Sequence, residues 1–298
     1  MKPALANAGR RSQYLIDGEF PLSKEDFQQI AEIAYADAGI DLNEAKASLV
    51  YSRLTKRLRT LRLESFHSYC ALLSKTDGEG ERQHMVAALT TNVTRFFREP
   101  HHFEHLKTHV LPSLITTARA GGAVRIWSAA CSSGEEPYSI ALAILSVLPD
   151  AAALNVKVLA TDIDPNVLQN GQAGVYGEAA MAPVPADMRH RWFSPQTDGD
   201  GVKAWRAGTE LRKLVTFRNL NLIGHWPMRG PFQAIFCRNA LIYFKEETQV
   251  EVWRRFVPLL APGGRLYIGH SERLFGDAAA FYVNEAITTY RLREAAAA

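Results

Sequence analysis

Through the first third of the chain, apolar residues recur three and four apart; beyond residue 120 they gather into short runs. Phe27, Ile30, Ile33 and Ala34 repeat at helical spacing behind Ser23-Lys24-Glu25-Asp26, which resembles a capping box with an acid three residues past a hydroxyl. Gly39 offers a left-handed stop. A second helix is expected from about Glu44 to Leu63 and a third from near Ser65. The stretch Asp77–Gly80 reads as a loop, with another helical run over His84–Leu89. From Val124 the rhythm becomes strand, glycine turn, helix. Strands are expected at Val124–Trp127, Val156–Thr161, Phe232–Cys237 and Gly264–Gly269, and helices at Glu136–Leu148, Asp164–Gly171 and Glu246–Leu260. That alternation predicts an α/β domain with a parallel sheet covered on both faces, preceded by an all-helical domain. Between Gly177 and Asn219 it breaks. Three prolines, the turn Asp198-Gly199-Asp200-Gly201 and two flanking β-like runs, Val202–Ala207 and Leu214–Asn219, predict a small antiparallel β insert.

Composition narrows the class without naming a function. At 298 residues, 47% apolar and 22% charged, the chain is an ordinary globular sequence long enough for two domains. Thirty-four basic against 31 acidic side chains leave +3, too little for a general attraction to nucleic acid or anionic membrane. Cys70, Cys131 and Cys237 lie far apart with no C-x-x-C pair, which argues against a disulfide framework and fits a reducing compartment. The first twenty residues lack the apolar core of a signal peptide, and no apolar run approaches the ~20 residues that span a bilayer. The expectation is a cytoplasmic protein whose residues 1–19 form a disordered tail and whose Ala295–Ala298 end frays.

Ligands of open parallel sheets bind outside the carboxyl ends of the strands, so the chemistry is sought there. After the first strand comes Ser128-Ala129-Ala130-Cys131-Ser132-Ser133-Gly134-Glu135-Glu136, small residues leading into two acids at a helix start. Acids there suit the helix dipole but repel a pyrophosphate, and G-x-G-x-x-G is absent, so a ligand with hydroxyls and an amine fits better than a dinucleotide. Asp162 ends the second strand, where an acid commonly accepts hydrogen bonds from ribose hydroxyls. Arg238-Asn239 follows the strand Phe232–Cys237, with Tyr243 shortly behind; these side chains can grip a carboxylate or an adenosine edge and offer a π-face.

Four ordered motifs, Thr90–Glu99, Ser128–Ser139, Thr161–Asp164 and Phe236–Phe244, resemble the bacterial chemotaxis-receptor methyltransferase family over roughly Leu22 to Leu292. The resemblance implies an S-adenosylmethionine-dependent protein-glutamate O-methyltransferase, releasing S-adenosylhomocysteine. It also implies a helical receptor-contacting domain over about 20–98 and a Rossmann-like catalytic domain over 99–298, with the β insert at about 177–219. Carried onto this chain, it implies cofactor contacts from Asn92, Thr94, Arg98, Glu136, Asp162, Asn221, Leu222, Arg238 and Asn239, with Arg98 and Tyr243 nearest the transferred methyl. Cys131 and Ala240 depart modestly from the family pattern. The implied partners are the cytoplasmic helical region of methyl-accepting chemoreceptors and, through the β insert, a receptor C-terminal peptide; no nucleic acid and no membrane insertion are implied. A nucleic-acid methyltransferase and a non-catalytic cofactor-binding adaptor are the competing readings.

Three further features lie outside those motifs. Between Leu49 and Leu63, Arg53, Lys56, Arg57, Arg59 and Arg62 share a helix without an acid four residues away, so an acidic partner surface is expected to relieve their repulsion. The resemblance implies receptor contacts there, from Arg53, Lys56, Arg57 and Arg59. His101-His102-Phe103-Glu104-His105 formally matches H-x-x-E-H, but no third ligand is evident and no metal is expected. Cys131 and Cys237 are read as packing residues.

Overall fold

The computed structural model describes residues 14–197 and 201–294, and the chain divides into two compact units at Thr90/Thr91. The first contains a short hairpin, β1 (Tyr14–Ile16) and β2 (Leu22–Ser23), and four helices: α1 (Lys24–Ala38), α2 (Ala47–Leu61), α3 (Phe66–Leu73) and α4 (Glu79–Leu89). The N-cap half of the capping box before α1 is made: Asp26 N–H donates to Ser23 Oγ at 3.0 Å, and the Asp26 carboxylate accepts from the Ser23 hydroxyl at 2.7 Å instead of from the Ser23 N–H. Gly39 closes the helix at φ 73°. Ser65 caps α3 in the same way, accepting from Ser68 N–H. Phe27, Ile30, Val50, Leu54, Leu58, Phe66, Tyr69 and Leu73 are buried, one apolar stripe from each of the first three helices.

The second unit carries α5 (Pro100–His105), a π turn over Leu106–Val110, and α6 (Leu111–Arg119), before β3 (Val124–Ala129), α7 (Glu135–Val147), β4 (Val156–Asp162) and α8 (Pro165–Ala173). There follow β5 (Val175–Gly177), α9 (Glu178–Met181), α10 (Ala186–Trp192), β6 (Phe193–Thr197), β7 (Lys203–Ala207), α11 (Thr209–Leu214) and β8 (Val215–Asn219). The chain continues through β9 (Phe232–Cys237), α12 (Glu246–Phe256), β10 (Leu260–Ile268), β11 (Tyr282–Ala286) and β12 (Thr289–Leu292). The main sheet has the order β11-β12-β10-β9-β3-β4-β8; β10, β9, β3, β4 and β8 are parallel, and β12 and β11 extend it antiparallel.

β3 and β9 are almost continuously buried because helices cover both faces. Alternate residues feed two cores. Ile126, Ala234, Phe236 and Tyr267 pack with the α5–α7 side, while Trp127, Ile235, Cys237 and Ile268 join a cluster containing Trp253 and Phe256 of α12. Among the described residues no helix is long and apolar enough to cross a membrane.

Several sequence expectations need correction. Tyr14–Ile16 are not a disordered tail but a strand paired with β2; residues 1–13 and 295–298 lie outside the described set. Glu79 and Gly80 open α4 instead of closing a loop. Residues 91–98 fall in the second unit, eight positions earlier than the expected domain boundary. The insert sheet is β5-β7-β6, antiparallel and three-stranded; β8 leaves it to pair with β4 at the edge of the main sheet. Register explains that switch, since Val158 to Asp162 pair residue for residue with Val215 to Asn219. Of the expected turn before β7, Asp198, Gly199 and Asp200 lie outside the described residues.

Candidate active site

In the main sheet the chain steps outward from β3 through β4 to β8, then returns to β9 on the other side of β3. The crevice at such a reversal is where open α/β sheets bind ligands. The loop leaving β3 is bent to fit it. Ala130, Ser132 and Gly134 all have positive φ (74°, 49° and 97°), and the amides of Ala130 and Cys131 both donate to the Thr161 carbonyl at 2.8 Å. Gly134 is required by space as well as by φ: an added Cβ would lie 2.8 Å from the Tyr176 hydroxyl and 2.9 Å from Gly171 Cα. Non-glycine residues held at positive φ concentrate at functional sites, and Phe97, Glu99 and Asn239 at this edge add three more.

Arg238 organises the charges. Its side chain is 1% exposed; Nη1 donates to Glu136 Oε2 at 3.0 Å, and Nη2 reaches the Arg98 carbonyl and lies 3.3 Å from Glu99 Oε2. Glu136 also accepts from Ser128 Oγ at 2.7 Å. Burial pushes the Glu136 carboxyl above its ordinary value, opposed by Arg238 and Ser128. At Glu99 burial acts in the same direction, but Arg238, His270 and His102 outweigh it and hold the carboxyl below the usual range.

Asp162 is buried and already occupied in part. Oδ2 accepts from Ser132 N–H at 2.8 Å and Oδ1 from Asp164 N–H at 3.0 Å, so the carboxylate ties the loops after β3 and β4 together. Two oxygens have lone pairs beyond those two bonds, so hydroxyl donors can still be accepted. Burial raises its pKa, with those amides opposing. Asn92 joins the same web: Nδ2 donates to Asp164 at 2.8 Å, and its carbonyl accepts from Ser132 Oγ at 2.9 Å. Thr94 and Tyr243 are half-buried, Tyr243 in a single 3-10 turn after β9. Asn221 and Leu222 lie beyond β8; Asn221 accepts from Ile223 N–H through Oδ1, and the Leu222 carbonyl accepts from Arg255 at 2.8 Å.

Several buried polar atoms at this edge have no hydrogen-bond partner in the protein, among them Arg238 Nε, a donor, and Asn239 Oδ1, an acceptor. A ligand carrying both a carboxylate and an amine supplies one partner to each of these two.

A family model described as "CheR methyltransferase, SAM binding domain" matches residues 92–290, and one described as "CheR methyltransferase, all-alpha domain" matches 25–90. The chain belongs to the CheR methyltransferase family. It is 53% identical over 257 residues to a probable chemotaxis protein methyltransferase of Rhizobium etli, covering 86% of this chain and 96% of that one. It is 43% identical over 252 residues to the chemotaxis protein methyltransferase of Escherichia coli, covering 84% and 85%. This CheR-family chain is therefore an S-adenosylmethionine-dependent methyltransferase of chemotaxis, with an all-α domain ahead of its α/β catalytic domain.

The sequence motifs missed three residues of this edge. Glu99, the last residue of the first motif, bridges Arg238 and His270, accepting from His270 Nδ1 at 2.9 Å. His102 is fully buried with Nε2 2.8 Å from Thr288 Oγ1, and burial, then Arg238 and His101, depress its pKa to about 3. Glu272 stands just after β10 as Asp162 stands at the end of β4, so an acid at a strand end is the sequence signal that marks both. Glu99, His101 and His102 do place one ligand atom each within 4.8 Å of the others. The Arg238 guanidinium, 3.3 Å from Glu99 Oε2, already supplies the positive charge there and would repel a cation.

In the all-α unit of this CheR-family chain, α2 departs from expectation. Its cations meet acids from other elements: Arg57 makes a two-pronged pair with Glu81 at 3.0 and 2.5 Å, and Arg59 pairs with Glu19. Arg53 Nη1 donates to the carbonyls of Leu89 and Thr90 at 2.6 Å each, closing the end of α4. Lys56 and Arg62 are exposed and meet no acid among the described residues. The repulsion expected along the helix is thus relieved largely within the unit itself.

Proposed function

We propose that this methyltransferase esterifies glutamate side chains on the cytoplasmic helical region of methyl-accepting chemoreceptors. The observation that carries the reading is Arg98. Its carbonyl is clamped by Arg238, its Nη1 donates to the Val93 carbonyl at 3.0 Å, and no acid pairs with it among the described residues. The rest of its guanidinium fork is available to an acceptor carboxylate, which it matches in shape and charge.

When bound, S-adenosylmethionine supplies an electrophilic methyl group on a sulfonium. The acceptor glutamate, with an ordinary pKa of about 4.3, is ionised at neutral pH and needs no general base. Its oxygen forms the new O–C bond as the methyl–sulfur bond breaks and that electron pair passes to sulfur, leaving a methyl ester and S-adenosylhomocysteine. The chain's own contribution is orientation, worth up to ~7–11 kcal/mol in favourable cases. Arg98 holds the acceptor carboxylate, and Tyr243 steers its approach. Asn92, Thr94, Glu136, Asp162, Asn221, Leu222, Arg238 and Asn239 line the cofactor side, with Asp162 toward the ribose and Arg238–Asn239 toward the methionine moiety.

Receptor docking is assigned to the exposed cations of α2, with Lys56 and Arg59 leading. A receptor C-terminal peptide adds as a further strand to an edge of the insert sheet β5-β7-β6. Transfer of labelled methyl to receptor fragments tests the whole reading. Alkali-labile label on receptor, lost when the acceptor glutamates are replaced by alanine, is expected. Label on RNA instead, or none with a folded enzyme that binds cofactor, would overturn it.

A further inference from the structure

We propose that Glu272 is a positioning residue for cofactor binding, acting through the Arg238–Asn239 turn; the proposal rests on that turn belonging to the cofactor site. Glu272 is 3% exposed and meets four backbone amides. Oε2 accepts from Gly269 N–H at 2.7 Å and Asn239 N–H at 2.8 Å; Oε1 accepts from Ala240 N–H at 3.1 Å and Leu241 N–H at 2.9 Å.

Three of those donors are consecutive. The N–H groups of Asn239, Ala240 and Leu241 converge on one carboxylate where β9 ends, forming an anion-binding concavity filled by a side chain of the same protein. No cation pairs with Glu272 among the described residues, so the amides are what stabilise its charge there.

A second observation points to the same turn. β9 and β10 are parallel neighbours with Cys237 opposite Ile268, so their outgoing turns lie side by side. A Cβ at Gly269 would sit 2.5 Å from Asn239 Nδ2 and 2.8 Å from its backbone nitrogen. Gly269 therefore gives Asn239 its place, and Glu272 holds it there at φ 57°, in the left-handed region that asparagine tolerates better than most non-glycine residues. The unpartnered Oδ1 of Asn239 is the group so positioned, with Arg238 adjacent in sequence. Glu272 reaches none of the reacting atoms; its effect passes through the turn.

Glu272→Gln replaces one acceptor oxygen by a donor and opposes two of the four amides. The test measures S-adenosylhomocysteine affinity by calorimetry, melting with and without S-adenosylhomocysteine, and steady-state kinetics. E272Q is expected to weaken binding at least tenfold, to lose most of the ligand-induced rise in Tm, and to raise KM for S-adenosylmethionine with kcat within about threefold at saturation. G269A, which leaves all four donors intact and displaces Asn239 from the other side, is expected to do the same and serves if E272Q does not fold. Wild-type affinity in folded E272Q or G269A, or equal losses of kcat and cofactor affinity, would overturn the proposal. Asn239→Ala separates the two ideas. If N239A binds S-adenosylhomocysteine as the wild type does, the turn is not part of the site and both readings fall. If only N239A weakens binding, the positioning role alone fails. In the wild-type protein, amides 239–241 are expected to exchange slowly before ligand is added; exchange as fast as in exposed loops would also overturn it.

Discussion

Helix α2 and the carboxyl edge of the main sheet are both rich in charge, and they use it in opposite ways. On α2, Arg59 and Lys56 stand in solvent, and even the two-pronged Arg57–Glu81 pair is partly wet. At the sheet edge Arg238 is 1% exposed and touches Glu136, Glu99 and the Arg98 carbonyl, while Asp162 and Glu272 fasten loops through backbone amides. Water screens the first set, leaving long-range attraction as its main contribution. The second set lies where an unpaired charge is costly, so each group fixes the position of another. Charge on α2 can therefore vary with little effect on folding, whereas charge at the sheet edge cannot.

The sharpest way to break this comparison is Arg238→Ala. It strands buried Glu136, and removal of one partner from a buried pair typically costs about 3–5 kcal/mol. Urea unfolding is expected to show that loss, with S-adenosylhomocysteine binding abolished; a loss below ~1 kcal/mol would place Arg238 with the α2 cations. Asp162→Ala comes next. Removing its charge-assisted bonds is expected to weaken S-adenosylhomocysteine binding by about 1.5–3 kcal/mol in calorimetry. Unchanged affinity in a folded variant would confine Asp162 to joining the loops.

His102 sharpens the contrast through pH. Its folded pKa, about 3, lies below the ~6.5 of an unfolded histidine, so the contribution is fully present above pH 6.5. As pH falls from there toward 3, the unfolded chain binds a proton that the folded one refuses, and stability drops by about 1.4 kcal/mol per pH unit. Thermal melts from pH 7 to 5 are expected to show that slope, shallower in His102→Asn; identical slopes would show that other groups set it. The smallest effects belong to α2. Arg53→Met is expected to cost about 1 kcal/mol in urea unfolding, because its bonds close α4. Arg59→Glu is expected to leave Tm and cofactor affinity unchanged while raising KM for receptor, the signature of lost uniform binding. An equal KM for receptor would remove Arg59 from the docking surface.

Local patterns were legible wherever the physics is local. The Ser23 N-cap, the Gly39 stop and the strand Phe232–Cys237 each depend on a few neighbouring residues, and each appears where the sequence pattern put it. The insert boundary was misjudged because strand propensity says that 215–219 is extended, not which sheet it joins; pairing with β4, more than fifty residues away, decides that. The C-terminal β11–β12 hairpin went unread, its short strands being only partly buried. On α2, the acids relieving Arg57 and Arg59 lie 24 and 40 residues away, beyond any i,i+4 rule.

Among the site residues, Asp162 and Arg238 were found because they follow apolar strands, a signal written in order along the chain. Glu272 carries the same strand-end mark, but the importance of Glu99, His102 and Glu272 comes from what they meet after folding. By itself the sequence determined the element types, the α-then-α/β order and the strand ends at which the chemistry gathers, because hydrophobic period and turn residues act over one or two turns of chain. Only the tertiary structure decided which charges are buried, which carboxylate receives four amides and which arginine keeps its fork open. Those outcomes depend on residues up to some 170 positions apart, and on the low dielectric that packing creates around them.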